Sequence, residues 1–423
     1  MLLRFAVENF LSIRDQQELL LTASKQIKDR DDILIDCGTP TGRRALPVIV
    51  IYGANASGKS NLLRAFNYMQ RAILFSHSQG SPKGGVPRDI HALDPDSADK
   101  PSVFEIDFVL DGVRYHYGFS ATDEHFEEEW LFSFPKGKQR RLFEREGKDF
   151  EFGDSLTGQK TVISQLTRPN SLFLSAAAQN DHPELTTIAN YITAIRSARH
   201  PAFPWATKWE ESVVSEHKRN ILDFMNDIEV GITDVRKKER ELSKKDIELR
   251  EALNNALNEI GKPTQPLEDK VPSLEIAHSG KNGESIFLRY SNESAGTKNL
   301  ITKLPMIFDA LESGQSLFID ELNDSLHTLA CEKIIALFSS KATNPKGAQL
   351  VTTTHDTNLL RSGFLRRDQI WFTEKDSEGA THLYPLTDFR TRKDDNLARG
   401  YLEGRYGAVP FSGSLPVAPE EVK

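Results

Sequence analysis

The stretch PVIVIYGANASGKSNLL, residues 47–63, decides how the rest of this chain is read. Its first six residues are almost wholly apolar and β-branched, the signature of a buried strand. They run directly into GANASGKS at 53–60, a full match to the G-x-x-x-x-G-K-[ST] phosphate loop. Beyond the loop, Leu62, Phe66, Met69 and Ile73 recur at the spacing of one buried helix face. Gly53 and Gly58 allow a backbone shape and a closeness of approach that side chains forbid. Backbone N–H groups through Asn55, Ala56 and Ser57 then wrap a β-phosphate, the positive end of the following helix faces it, and Asn61 is a further expected nucleotide contact. Lys59 reaches the β- and γ-phosphates, and the Ser60 hydroxyl is a magnesium ligand.

Further along, SLFIDEL at 316–322 is a short apolar strand ending in Asp320-Glu321, the form of a Walker B motif. In that form Asp320 holds magnesium, and Glu321 orients or deprotonates an attacking water. VTTTHD at 351–356 delivers His355 to a strand end 35 residues past Asp320. A parallel sheet sets such a strand end beside the phosphate loop, where a neutral imidazole can hydrogen-bond phosphate or water. In NESAGTKNL at 292–300, Ser294, Ala295 and Gly296 precede a helix expected near Thr297, and a small-residue turn opening a helix is itself a phosphate-binding shape.

Between these motifs, LLRFAVENF and ELLLTA (18–23) read as strands, and 76–101 as a structureless link holding Asp94 and Asp96. Phe104, Ile106, Phe108 and Leu110 alternate into an Asp111-Gly112 turn, and Val113, Tyr115, Tyr117 and Phe119 alternate back. Phe126, Glu128, Trp130, Phe132 and Phe134 predict a third strand with the aromatics on one face. From 205 to 262 the pattern turns helical, with Trp209, Val213, Ile221, Phe224 and Ile228 on one face and Leu242, Leu249, Leu253, Leu257 and Ile260 on another. Residues 232–241 fit helix or strand, and Pro263 and Pro266 end the arm. A second hairpin follows, from Ile276 and His278 through Asn282-Gly283 to Ile286, Leu288 and Tyr290. Strand and helix alternate thereafter, with a helix expected near 326–340. The fold class expected is α/β, with a mostly parallel core sheet, an antiparallel β-hairpin subdomain and an inserted helical arm. The divisions expected are 1–75 and 271–410 for the core, 76–204 for a β-rich insertion, 205–270 for the arm and 411–423 for a frayed tail.

Composition narrows the class. The 423 residues are 38% hydrophobic and 27% charged, which suits a globular chain with a substantial core. The longest apolar run, ALPVIVIYGA at 45–54, falls short of a membrane span, and no secretory signal opens the chain. Cys37 and Cys331 offer neither a disulfide framework nor zinc spacing, so a cytoplasmic setting without membrane contact is expected. The net charge of −8 disfavours non-specific DNA binding. Arg236, Lys237, Lys238, Arg240, Lys244 and Lys245 are interleaved with Glu239, Glu241 and Asp246, so they read as a solvated face rather than a DNA stripe.

The motif order, phosphate loop, S-x-G-T signature, Asp-Glu strand and histidine strand, resembles ABC-type ATPases. The short signature-to-Walker-B interval and the β-rich insertion resemble the SMC, RecF and OLD-like branch. NFLSI (9–13), FLSAAAQND (173–181), ESAGTKNL, DELNDSLH (320–327), TTHDTNLL (353–360) and RKDDNLARGYLEGRYGAVP (392–410) look like the OLD-like stand-alone ATPases. Those include the RloA family and, more distantly, the ATPase subunit of the PARIS phage-defence system. The resemblance implies ATP and Mg2+ as cofactors and a head-to-tail homodimer or higher homo-oligomer, in which Ser294 and Gly296 act on the partner's nucleotide. It implies that Asn323, Asp324 and Ser325 form a D-loop and that Gln179 is the magnesium-contacting Q-loop residue. Only 68 residues follow His355, too few for the Toprim nuclease domain of OLD proteins. A separate, nuclease-like effector is therefore the expected partner, gated by ATP-driven dimerisation, with antiviral defence as the expected role. The alternative is a RecF- or SMC-like repair ATPase that contacts DNA directly.

Overall fold

Two strands, β1 (Leu2–Glu8) and β2 (Gln17–Leu20), open the chain, and a small ribbon of β3 (Ile35–Asp36) and β4 (Arg44–Ala45) follows. Next, β5 (Val48–Gly53) leads through the phosphate loop into α1 (Lys59–Phe75). The computed structural model describes residues 1–198, 213–214, 217–228, 230–241, 244–259, 270–361, 365–392 and 395–409. They fall into two units, one of Met1–Arg199, Asp309–Asn323 and Thr328–Lys423, the other of His200–Phe308 and Asp324–His327.

In the first unit, β6 (Ser102–Leu110), β7 (Val113–Ala121), β8 (Phe126–Phe134), β9 (Arg140–Glu146) and β10 (Asp149–Phe152) form an antiparallel meander. This meander joins β1 and β2 in one seven-stranded sheet, ordered β10-β9-β8-β7-β6-β1-β2. The helices α2 (Lys160–Leu166), α3 (Phe173–Gln179) and α4 (Pro183–Ala194) come next, followed by β11 (Arg196–Ala198). The alternation expected for β6 and β7 holds: Phe104, Ile106, Phe108, Tyr117 and Phe119 are fully buried. In β8 it does not. A bulge between Ser120 and Ala121 of β7 shifts the pairing after Phe126, and one extra residue reverses which face the next side chains take. Glu129, Leu131 and Ser133 are therefore buried, while Trp130, Phe132 and Phe134 are half-exposed. The link at 76–101 is also tied down, because Asn9 Nδ2 donates to the carbonyls of Ser97 and Lys100. Within it, the Asp94 carboxylate caps a short turn by accepting the Asp96 N–H.

The second unit holds α5 (Lys218–Asp227), β12 (Ile232–Glu241), α6 (Lys244–Glu259), β13 (Lys270–Ser279) and β14 (Ser285–Arg289). Residues 232–241 resolve as a strand, and β13 pairs with both β12 and β14. Ile221, Phe224 and Val213 are buried as expected, but Leu249 and Leu253 of α6 are 72% and 59% exposed, against the expected buried face. Trp209, Leu242, Ile260, Pro263, Pro266 and the 411–423 tail lie outside the described residues, as does the side chain of Leu257. Arg236 and Lys238 both pair with Glu275 across the sheet, so the basic run is partly neutralised. The helix α7 (Ala295–Ser313) closes this stretch of chain.

The chain then returns to the first unit with β15 (Ser316–Ile319), α8 (Thr328–Ser339), β16 (Gln349–Thr353), β17 (Ile370–Lys375), β18 (Thr381–Pro385) and α9 (Leu397–Leu402). A six-stranded sheet is ordered β11-β15-β16-β5-β17-β18, and every pair is parallel except the last. All residues of β5, β15 and β16 are buried, as the interior of a covered parallel sheet requires. Phe66 of α1 packs edge-on to Phe5 of the antiparallel sheet at 5.2 Å and stacks on Phe318 of the parallel sheet at 4.3 Å. The first helix is thus the layer that joins the two sheets, and truncating Phe66 removes about 3–5 kcal/mol of packing. No helix among the described residues is long and apolar enough to cross a membrane.

Candidate active site

The phosphate loop leaves β5 at its carboxyl end. Ala56 and Gly58 take left-handed backbone angles, φ 63° and 106°, on either side of buried Ser57. Asn55 and Ala56 are exposed, and α1 begins at Lys59 with Ser60 and Asn61 half-buried in its first turn. Lys59 Nζ donates to the carbonyls of Gly53 (2.8 Å) and Ala54 (2.9 Å), inside the loop it serves. Burial lowers the Lys59 pKa to about 8, against the opposing pull of Glu321 and Asp320.

The Walker B strand β15 does not pair with β5; the histidine strand β16 lies between them, parallel to both. Asp320, Glu321 and His355 therefore leave the same sheet edge as the phosphate loop, where parallel α/β sheets bind ligands. Two side chains of the TTT run hold this edge. Thr353 Oγ1 donates to Asp320 Oδ1 at 2.7 Å and accepts the Glu321 N–H at 2.7 Å. Thr354 Oγ1 donates to Asn323 Oδ1 at 2.8 Å, and the His355 N–H reaches the same oxygen at 3.2 Å. Glu321 sits at φ 50°, a left-handed angle uncommon for a non-glycine residue. His355 Nε2 is 4.0 Å from Glu321 Oε1. Burial and then the Lys59 charge push the His355 pKa below its ordinary value, the two carboxylates only partly opposing, so its ring is neutral at pH 7.

The second unit holds the signature. Its helix starts at Ala295, two residues before the expected position, because the Ser294 hydroxyl accepts the Thr297 N–H at 3.1 Å and caps it. Gly296 lies in the first turn. A Cβ there would stand 2.6 Å from the Ser325 carbonyl oxygen, so glycine is what lets the helix sit against the loop at Asp324 and Ser325. Asn299 Nδ2 secures the same loop by donating to the Asp324 carbonyl at 2.8 Å. Gln179 is the exposed last residue of α3; among the described residues, no hydrogen bond joins it to the loop, Asp320 or Glu321.

Sequence reasoning passed over the hydroxyls that brace these motifs. Thr353 and Thr354 were within a run already read as strand, and their roles follow only from which strand lies beside which. Thr373 and Thr381 carry no motif at all. They arrive because β17 pairs with β5, setting Thr373 opposite Gly53. The β-hairpin turn from β17 then brings Thr381 back, with its Oγ1 donating to the Ser57 carbonyl at 2.9 Å.

A match to a protein family covers residues 48–361, about three quarters of the chain; the family is described as "AAA domain, putative AbiEii toxin, Type IV TA system". The matched span runs from the first residue of β5 past His355, so it takes in the phosphate loop, the signature, Walker B and the histidine strand. The chain belongs to this AAA-domain family of P-loop ATPases. A search of curated proteins finds no match.

Proposed function

We propose that this protein binds ATP with Mg2+ and hydrolyses it in a pocket completed by a second copy of the chain, and that the resulting association gates a separate effector. The observation that carries the reading is the gathering of one cation, two carboxylates and a neutral imidazole at one sheet edge beside a phosphate loop. The charges of Asp320 and Glu321 act on both Lys59 and His355, and the Lys59 charge acts on His355.

The loop's N–H groups and the start of α1 cradle the phosphates, and Lys59 neutralises them. Ser60 and Asp320 are hard oxygen donors suited to Mg2+. Among the described residues no cluster of three or more His, Cys, Asp or Glu side chains forms a full metal cage. That fits an ion which keeps water and phosphate as its other ligands. Bound there, Mg2+ would offset charge on the phosphate oxygens. Glu321 orients the attacking water and draws its proton, while His355 donates or accepts one hydrogen bond as a neutral ring.

Ser294, Gly296 and the adjoining Asp324–Ser325 loop act on the nucleotide of the opposite copy. Support for that part is the resemblance to OLD-like and other ABC-type ATPases, together with the signature's packing on the D-loop. The family's description names a putative AbiEii toxin and a type IV toxin–antitoxin system, which supports a toxin–antitoxin or defence context; the nuclease-like character of the partner rests on the resemblance alone. On resemblance alone, Gln179 would contact magnesium and water.

Light scattering and nucleotide binding on purified protein test the reading. Lys59→Ala is expected to weaken ATP binding at least about 100-fold, as loss of a charged phosphate contact does. Glu321→Gln is expected to retain ATP, slow hydrolysis by about 100-fold or more and accumulate an ATP-dependent dimer. Unchanged binding by Lys59→Ala refutes the nucleotide site. A Glu321→Gln protein that stays monomeric with Mg-ATP refutes the composite pocket.

A further inference from the structure

The phosphate loop is braced from behind by hydroxyl groups that come from both ends of the chain. Asn61 Nδ2 donates to Ser12 Oγ at 2.7 Å, Ser12 Oγ lies 2.8 Å from Thr381 Oγ1, and Thr381 Oγ1 donates to the Ser57 carbonyl at 2.9 Å. Thr381 has one hydroxyl proton, and it is committed to that carbonyl. Ser12 must therefore donate to Thr381, which gives the chain a single direction, from Asn61 through Ser12 and Thr381 to the Ser57 carbonyl. Such aligned bonds strengthen one another in a buried setting. The backbone repeats the link, with the Thr381 N–H donating to the Ser12 carbonyl at 2.7 Å. On the other side of the loop, Ser57 Oγ is 2.7 Å from Thr373 Oγ1. Ser57, Thr373 and Thr381 are 4%, 1% and 3% exposed, and Ser12 9%.

The loop's glycines fit the same brace. A Cβ on Gly58 would stand 2.1 Å from Thr381 Oγ1 and 2.9 Å from Ser12 Oγ, and one on Gly53 would stand 2.4 Å from Thr373 Oγ1. Both glycines thus leave room for the supporting threonines as well as for a ligand. Ser57 lies between two left-handed residues; its own N–H turns back to the Ala54 carbonyl at 3.2 Å, while its carbonyl is held from outside the loop by Thr381.

We propose that Ser12, Thr373 and Thr381 are positioning residues for the phosphate loop. They hold the Ser57 peptide so that the N–H groups around it are aimed at an anion before it arrives, and binding then has less ordering to supply. This inference rests on the nucleotide reading given above and adds to it which residues set the affinity.

The test uses the full chain, Mg2+ and a fluorescent ADP analogue, with ATP turnover and nucleotide-free melting measured on the same samples. Thr381→Val keeps the shape and removes the hydroxyl, leaving the Ser57 carbonyl and Ser12 without their partner. It is expected to weaken ADP-analogue binding about tenfold and raise the KM for ATP more than it lowers kcat. Thr381→Ser is expected to restore binding to within about twofold of the parent protein. Ser12→Ala is expected to weaken binding in the same direction, and it carries the test if Thr381→Val does not fold. Parent-like binding by Thr381→Val, or by Ser12→Ala in its place, overturns the inference. Lys59→Ala separates the two levels. If it binds the analogue normally, the nucleotide reading has failed and this inference with it. If it loses binding while Thr381→Val keeps it, only the positioning role has failed.

Discussion

Replacing Thr353 by valine removes one hydroxyl that serves both acidic residues of the Walker B strand. The side chain is fully buried, so no water stands ready to replace it. Two hydrogen bonds of 2.7 Å are lost: the one Thr353 donates to Asp320 Oδ1 and the one it accepts from the Glu321 N–H. A bond to a charged group contributes about 1.5–3 kcal/mol, and a buried N–H left without a partner costs about 1–3 kcal/mol. The sum, about 2.5–6 kcal/mol, is expected to lower the melting temperature of a unit this size by about 4–9 °C. The effect on turnover is larger. Glu321 holds a left-handed angle at φ 50° with its N–H pinned by this hydroxyl, and a displacement of about 1 Å at a reacting group costs about 100-fold in rate. Thr353→Val is therefore expected to lower kcat about 100-fold and to raise the Mg2+ concentration needed for half-maximal activity. Thr353→Ser, which keeps both bonds, is expected to retain most activity. Steady-state ATP hydrolysis over a magnesium titration, with melting curves alongside, is the assay. A valine variant that melts earlier but turns over at the parent rate with the parent magnesium midpoint refutes the positioning role.

Three further outcomes follow from the geometry. Glu129 is wholly buried in β8 and accepts N–H groups from Phe173 and Leu174 at 2.5 and 2.9 Å and the Tyr117 hydroxyl at 3.0 Å, with Arg145 3.8 Å away. Glu129→Ala uncovers the start of α3 and leaves the arginine without its anion, at about 3–5 kcal/mol by chemical denaturation. Burial raises the Glu129 pKa above 4.5, so the native state holds this proton more tightly than the unfolded chain does. The resulting contribution is complete below pH 4.5 and is lost as pH rises through the raised value. The stability difference between parent and Glu129→Gln is therefore expected to change across that window, and a pH-independent difference refutes the shift. For Gly296→Ala, a Cβ 2.6 Å from the Ser325 carbonyl forces the D-loop off the signature helix. ATP-dependent self-association is expected to weaken about tenfold or more while single-chain nucleotide binding stays within about twofold. Equal loss of both places Gly296 outside any interface between copies.

The legible and illegible parts of this protein differ in how far apart their determinants lie in the chain. GANASGKS, SLFIDEL and VTTTHD each state their strand, turn and reactive group within eight residues, so residue order alone exposes them. The helix face through Leu62, Phe66 and Met69 could be read because a period is also a local property. The inward phase of β8 could not, since a bulge in its pairing with β7 sets it, and a pairing is absent from either strand's own pattern. Glu129 was hidden by the same shift: in the unshifted phase it lies opposite the inward aromatics and reads as solvent-facing. The braces on the active edge belong to this second kind. Ser12, Thr373 and Thr381 stand more than 300 residues apart at the extremes, and each is an ordinary hydroxyl in an ordinary strand or turn. Sheet order converts them into neighbours of Ser57, because β17 lies beside β5 and the hairpin returns onto the loop. The groups proposed to react thus carry sequence signatures, whereas the groups that hold them are specified by topology. An active edge built this way concentrates its sensitivity to mutation in buried threonines as well as in the charged residues that motifs advertise.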